Sequence, residues 1–414
     1  MEREAWTPRM LDALDNGVKG GKWFSLCDKL WAPGNLRAAW AKVRANGGAA
    51  GVDRQSIARF AAQEEKCLKE IEEALRAGSY EPQAVRRVYI PKPGTKKTRP
   101  LGIPTVKDRI VQTALRQLLE PIWEKQFLDE SFGFRPGRGC KDALRRVDGL
   151  LHAGYLWVVD ADIRSFFDTI DHGVLMSEVE KSVSDGRVLG LVRKMLTQRV
   201  QEEDRAWTPE EGMPQGATMS PLLANIYLHP LDTGLVEQGF EVVRYADDLV
   251  ILCRSEADAR RALSCLEEAI AARKLRLAPE KTNLADMAHG GAFEFLGYRF
   301  ERGRRLIRRS SWNKFRDKVR AVTPRLNGHS LATIIARLKP VIRGFFEYFK
   351  HCRITVLAAM DGWIRKRLRR ILLKRHRKRG IGIGLAHRRW PNAFFAKHGL
   401  FTMTEAHAVA LRSR

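Results

Sequence analysis

Apolar side chains recur every three or four positions through LRAAWAKVRANGG (36–48) and IARFAAQEEKCLKEIEEALRAGSY (57–80), and both runs stop at glycines. Two amphipathic helices are expected there. From residue 84 the period changes to two. VRRVYI alternates like a strand, PKPGTKKTR is a turn and RPLGIP is extended again, which predicts a β-hairpin with a cationic tip. A strongly periodic helix follows over DRIVQTALRQLLEPIWEKQF (108–127), and YLWVVDADI (155–163) is an apolar run of buried-strand type. GMPQGATMSPLLANIYLHPLD (212–232) is a Gly/Pro/Gln turn running into an apolar helix. FEVVRYADDLVILC (240–253) reads as two strands about a tip, ADARRALSCLEEAIAARKL (257–275) as a helix and FEFLGYRF (293–300) as a strand. Beyond residue 300 the pattern is helical and cationic. MDGWIRKRLRRILLKRHRKR sets Met360, Ile364, Leu368 and Leu372 four apart on one apolar face, with Lys and Arg on nearly everything else.

Charge divides the chain more sharply than hydropathy does. Residues 1–300 carry 44 basic and 43 acidic side chains, whereas residues 301–414 carry 30 basic and 5 acidic. The first part is a neutral globular body and the last quarter a polycation whose fitting partner is a polyanion. On the helix over 360–379, Arg365, Lys366, Arg369 and Arg370 are the candidate nucleic-acid contacts, against the alternative of a solvated basic face. The six cysteines are scattered with no C-x-x-C pair, which argues against a zinc knuckle or disulfide framework and fits a reducing compartment. MEREAWTPRM has no apolar core and no run approaches 18 apolar residues, so neither a signal peptide nor a membrane helix is expected, and the location expected is cytoplasmic.

The candidate chemistry lies in two places. Asp160 and Asp162 interrupt the apolar run 155–163, and an ionised carboxylate there is costly unless paired or bound to a metal. A strand-end carboxylate at the surface is the plain alternative for Asp162, and helix caps are the preferred reading of Asp168 and Asp171. Asp247 and Asp248 split two apolar strands, as a catalytic hairpin tip or an ordinary solvated turn would. Brought together, Asp162, Asp247 and Asp248 could hold two Mg²⁺ ions for an in-line phosphoryl transfer. Lys92 and Arg99 flank the basic turn closely enough to face one phosphate-bearing target. Gln215 is a neutral hydrogen-bonding side chain on a tight turn. SFGFRPGRGCKDAL (131–144) combines three glycines with Arg135 and Arg138, a pattern open to phosphate-backbone contact. Together these parts specify a template-directed nucleotidyl transferase.

Collinear blocks then identify a resemblance. From about residue 28 onward the chain resembles the reverse transcriptase/maturase proteins encoded by bacterial group II introns. YADD (245–248) matches the polymerase box and ADIRSFFDTID the box of the first catalytic aspartate. IPKPGTKKTRPLGIPT, SFGFRPGRG, GMPQGATMSPLLANIYL, PEKT and FEFLGYRF match the remaining blocks in order; GVDRQSI resembles the N-terminal extension block and RLKPVIRGFFEYF the thumb core. The resemblance implies an α+β right-hand polymerase: an N-terminal extension over 1–80, fingers and palm with an antiparallel sheet over 81–300, a helical thumb or maturase domain over 301–380, and a short basic segment over 381–414. It implies catalytic Asp162, Asp247 and Asp248 holding two Mg²⁺ with the Ile163 carbonyl assisting. Lys92 and Arg99 are then triphosphate contacts, Phe167 a gate against the ribose 2′-hydroxyl, Gln215 part of the nucleotide pocket, Lys281 a neighbour of the phosphates, and Arg135 and Arg138 nucleotide or template contacts. The implied partners are group II intron RNA, RNA and DNA template-primer and deoxynucleoside triphosphates, and the implied work is RNA-directed DNA synthesis, splicing assistance and retrohoming. Without the paired cysteines of the HNH endonuclease carried by many relatives, that activity is expected to be absent. Two other readings stand beside this one: a host-adopted relative without an intron, serving repair or defence, and a catalytically dead RNA-binding splicing cofactor. Ala246 favours the intron-encoded form over the first, and the three intact aspartates argue against the second.

Overall fold

The computed structural model describes residues 5–18, 20–91, 98–301 and 304–412. The helix Val106–Glu124 is buried on most sides, with Ile110, Val111, Ala114, Leu115, Leu118 and Leu119 fully shielded and Arg109, Arg116 and Glu120 on its narrow polar stripe. A helix whose apolar side is this wide becomes the centre of a core. Thr105 opens it, its hydroxyl accepting the Asp108 N–H. Its buried polar side chains reach into other segments: Asp108 accepts from the Tyr80 hydroxyl at 2.6 Å, Gln117 donates to Asn35 Oδ1 at 2.7 Å, and Gln112 accepts from the Thr218 N–H at 2.9 Å. The helix thereby ties the N-terminal helices to the loop that carries Gln215.

The chain forms two compact units, residues 1–285 and 286–414. The division lies before the expected boundary at 300. The expected single strand over 293–300 is a hairpin, β9 (Ala292–Phe295) and β10 (Tyr298–Glu301), joined to β11 (Arg304–Ile307) in one antiparallel sheet within the second unit. Leu296 and Gly297, at φ +47° and +82°, make the two-residue turn inside what reads as one strand.

In the first unit the expected helix over 57–80 is two, Ile57–Ala61 and Glu64–Ala77. The Gln63 N–H bonds back to Phe60 O at 2.9 Å and closes the first, while Glu64 and Glu65 start the second at its positive end. The basic hairpin forms as β1 (Val85–Pro91) and β2 (Thr98–Ile103), paired antiparallel with Ile90 opposite Arg99. Its tip, with Lys92, lies outside the described residues. Short strands β4 (Val200–Glu202) and β5 (Arg205–Trp207) extend this sheet in the order β2-β1-β4-β5, β4 running parallel to β1. The other sheet has the order β6-β7-β3-β8, from β3 (Trp157–Asp162), β6 (Glu241–Tyr245), β7 (Asp248–Cys253) and β8 (Asn283–Asp286). Helices Ser220–Glu237 and Glu256–Ala272 pack on it. Asp171 caps the helix His172–Ser182 by accepting the Val174 N–H at 2.8 Å, whereas Asp168 ends a single 3₁₀ turn.

The second unit is helical beyond β11. Arg309–Val322, Leu331–Phe349 and Ile354–Arg375 enclose a core of Phe315, Val319, Ile334, Leu338, Ile342 and Phe346, with Met360, Ile364, Leu368 and Leu372 all buried in it as the spacing predicts. Buried Asp361 accepts the N–H groups of Met403 and Thr404 at 3.1 and 3.0 Å and so fastens the last helix, Met403–Arg412. The α+β class expected from the sequence is the class observed. Among the described residues no helix is long and apolar enough to cross a membrane, and the six cysteines are free.

Candidate active site

Strand register assembles the carboxylates. β3 and β7 pair antiparallel with Asp162 directly opposite Asp248, and β6 pairs with β7 so that Tyr245 also faces Asp248. Opposed residues in such a ladder hold their Cβ atoms about 5 Å apart. Only Ala246 and Asp247 separate β6 from β7, so Asp247 stands on the turn beside that pair. Burial pushes the Asp247 carboxyl above the usual range and the charge of Asp162 pushes it further; its own backbone N–H, Arg99 and Lys281 pull it back. Three sequence candidates from three other segments, Asp162, Arg99 and Lys281, therefore act on the Asp247 carboxylate.

Lys281 reaches that cluster through backbone ties. Ala278 N–H bonds to Asp162 O at 2.8 Å, Ile163 bridges to Leu277, and Lys281 N–H closes a turn on Ala278 O at 3.0 Å. Its ammonium then lies 2.6 Å from Asp162 Oδ2. Arg99 on β2 donates from Nε to Gln215 Oε1. The Gln215 loop lies on β2 through Gly102 N–H to Gln215 O at 2.7 Å, and Gly216, at φ +108°, leaves no room for a side chain: a Cβ would stand 2.7 Å from Gly102 O. Phe167 is half-buried, edge-on to Phe166 at 5.2 Å, and its carbonyl accepts the Met213 N–H at 2.7 Å. The candidate gate is thus one backbone bond from the Gln215 loop.

The donor set is all oxygen, carries excess negative charge and suits a hard divalent cation. Among the described residues, no group of three or more His, Cys, Asp or Glu stands ready to hold a metal. The Lys281 ammonium stands against Asp162, the carboxylate that faces Asp248.

Two arginines are buried away from the roles expected of them, and a third is ion-paired at the surface. Arg135, expected at nucleotide or template, is buried. It pairs with Glu124 at 2.6 Å, donates to Ser131 O at 2.8 Å and lies over the Phe127 ring. It clamps its glycine-rich loop to the end of the core helix and presents no donor to a ligand. Arg138 is paired with the Asp129 carboxylate and donates to Asp129 O at 2.9 Å. Arg369, expected on the cationic face, is also buried: Nε donates to Trp390 O at 2.9 Å and Nη2 to Asn392 Oδ1 at 2.8 Å, with Phe395 against the guanidinium. Arg365, Lys366 and Arg370 are half-buried on the same helix. A one-sided helix pattern hides the partners of Arg369, which come from a segment more than 20 residues away.

One group escaped the sequence reading altogether. Arg244, one residue before the YADD box, is fully buried. It pairs with buried Asp232 and also donates to Asn225, Ser131 and the Ala246 carbonyl. The available signal was an arginine inside the apolar strand VVRY, together with Asn225 and Asp232 two turns apart on one helix face.

Comparison with known proteins agrees with this geometry. Residues 90–300 match the family model described as reverse transcriptase (RNA-dependent DNA polymerase), and residues 312–390 match the group II intron maturase-specific domain. The chain is 44% identical to the group II intron-encoded protein LtrA of Lactococcus lactis subsp. cremoris over 41% of its own length, and spans 28% of the length of that relative. It is 35% identical to Protein YkfC of Escherichia coli (strain K12), over 57% of this chain and 72% of that one. A solved chain of a partial Cas6-RT-Cas1–Cas2 complex is 23% identical with a TM-score of 0.37, over 60% of this chain and 43% of that one, a likeness too loose to bear on function. The chain belongs to the reverse transcriptase (RNA-dependent DNA polymerase) family, of the group II intron-encoded kind.

Proposed function

We propose that this protein is an RNA-directed DNA polymerase that copies group II intron RNA during retrohoming and assists its splicing, with Asp162, Asp247 and Asp248 as the catalytic carboxylates. The observation that carries the proposal is the register that sets Asp162 opposite Asp248 with Asp247 on the adjoining turn. Two Mg²⁺ bound by these carboxylates and the Ile163 carbonyl supply the Lewis-acid chemistry of in-line phosphoryl transfer. The protein's own residues do the rest. Arg99, steadied by Gln215, faces the same cluster from β2 and binds the triphosphate of an incoming deoxynucleotide, with Lys92 as the second cation of that hairpin. Lys281 is the cation nearest the reacting phosphates, and Gln215 lines the nucleotide pocket. Phe167 excludes the 2′-hydroxyl. The basic second unit, with Arg365, Lys366 and Arg370, holds template and intron RNA. The excess of 30 basic over 5 acidic side chains beyond residue 300 supports that partnership, and a maturase-specific match in the same stretch supports intron RNA as the partner.

The test is extension of a DNA primer on an RNA template with all four deoxynucleotides and Mg²⁺. Full-length product, lost on addition of EDTA, is expected; no product from a folded protein that binds the primer-template would refute the polymerase reading. In the same assay, Phe167→Ala is expected to raise ribonucleotide use relative to deoxynucleotides by about tenfold or more, because a ring at the sugar position leaves no space for the hydroxyl. An unchanged ratio would move the gate elsewhere, with Phe166 the next candidate.

A further inference from the structure

The strongest unused feature is the buried network under the YADD turn. Arg244 spends every guanidinium N–H: Nε on Asp232 Oδ1 at 2.7 Å, Nη2 on Asp232 Oδ2 at 2.5 Å and on Ser131 Oγ at 2.8 Å, and Nη1 on Asn225 Oδ1 at 3.0 Å and on Ala246 O at 2.9 Å. Its backbone is equally engaged, with Arg244 N–H on Glu130 O and Phe132 N–H on Arg244 O, both at 2.9 Å. Asn225 Nδ2 donates to Gly133 O at 2.8 Å. A Cβ at Gly133 would lie 2.2 Å from Ala246 N, so the 131–133 backbone is pressed directly against the turn.

The turn itself is a two-residue hairpin with Ala246 at φ +60°, while Asp247 is outside the left-handed region. That pattern belongs to type II′, which favours glycine at its first central position. Its central peptide joins Ala246 to Asp247. Rotation of that peptide converts II′ into I′ and reverses the direction of its carbonyl and of the Asp247 N–H. The Ala246 carbonyl is the group that Arg244 Nη1 holds.

We infer that Arg244 is a positioning residue for polymerisation. By holding the Ala246 carbonyl it locks the central peptide of the YADD turn, and the lock aims the Asp247 carboxylate at the site shared with Asp162 and Asp248. Asp232 and Asn225 orient the guanidinium, and the loop 131–133 supports the turn from the side. The alternative is that Arg244 and Asp232 are a buried ion pair that serves folding alone. This inference rests on the assignment of Asp247 as a catalytic carboxylate.

A double substitution separates the two roles. Arg244→Met with Asp232→Leu replaces a buried ion pair by apolar side chains, an exchange that is often neutral for stability. It leaves the Ala246 carbonyl without its charged donor. Three quantities are read: thermal unfolding, Mn²⁺ binding by electron paramagnetic resonance of the free ion, and the kcat and KM of primer extension. The expected result is a folded protein melting close to wild type, with Mn²⁺ bound about tenfold more weakly, kcat down about a hundredfold and the KM for deoxynucleotide little changed. Adding Ala246→Gly, which favours the II′ turn without help, is expected to recover at least fivefold in kcat. Should the double variant not fold, Arg244→Lys keeps a charge opposite Asp232 but lacks the planar fork whose separate nitrogens reach Asp232 and Ala246 O. The same losses are expected of it. A folded variant with Mn²⁺ affinity and kcat within threefold of wild type overturns the inference. Wild-type protein that neither binds Mn²⁺ nor extends a primer would refute the polymerase assignment instead, so the two failures are distinguishable.

Discussion

Asp247→Asn is expected to lower Mg²⁺-dependent primer extension by at least about a thousandfold, on RNA and DNA templates alike, while the protein remains folded. The carboxylate stands on the turn beside the opposed pair Asp162 and Asp248, and the amide keeps its shape while removing its charge. Stability is expected to move the other way. The Asp247 carboxyl is raised above its ordinary value by burial and by Asp162, so the fold favours its protonated form. A group raised in this way contributes stability below its unfolded pKa, and that contribution disappears as pH rises through the folded value. At neutral pH in EDTA the ionised Asp247 therefore strains the cluster, and the asparagine variant should melt at the wild-type temperature or up to about 3 °C above it. Extension within tenfold of wild type would remove Asp247 from the site. A large drop in melting temperature would show that its role is structural.

The second large effect concerns charge. Replacing Arg365, Lys366 and Arg370 by Gln, with Arg369 left intact, is expected to weaken intron RNA binding by about tenfold or more near physiological salt. The slope of log affinity against log salt should become shallower by about 2, since each phosphate neutralised contributes about 0.7 on single strands. Arg369 is spared because its guanidinium is committed to Trp390 and Asn392, and its loss would unfold the helix packing rather than report on RNA. Filter binding across a salt series, with helicity followed by circular dichroism, gives the answer. A wild-type slope and affinity in a folded variant would make this helix a solvated face and place the RNA path elsewhere.

What the sequence made legible follows from how local each signal is. Asp162, Asp247 and Asp248 stood out because acids inside apolar strand runs are costly, and strand pairing then had few ways to join them. The Met360–Ile364–Leu368–Leu372 face was readable because helical period alone determines which side turns inward. Arg135 and Arg369 were misread for the converse reason: an arginine in a basic stretch looks solvated until a carboxylate or carbonyl from another segment is seen beside it. Arg244 was overlooked because its role lies in five bonds to four residues that the chain order scatters between 131 and 246. The hairpin at Leu296–Gly297 hid inside an eight-residue stretch that reads as one strand, where one glycine was the mark of a reversal.

The most direct measurement of the central claim is metal localisation by cleavage. Fe²⁺ is substituted for Mg²⁺, hydroxyl radicals are generated at the bound ion with ascorbate and peroxide, and the backbone breaks are mapped by mass spectrometry. Breaks clustered around residues 160–164 and 245–249, suppressed by excess Mg²⁺ and absent from both Asp162→Asn and Asp247→Asn, are the result expected if these carboxylates hold the metal. Breaks elsewhere in the chain, or the same breaks persisting in both variants, would contradict it.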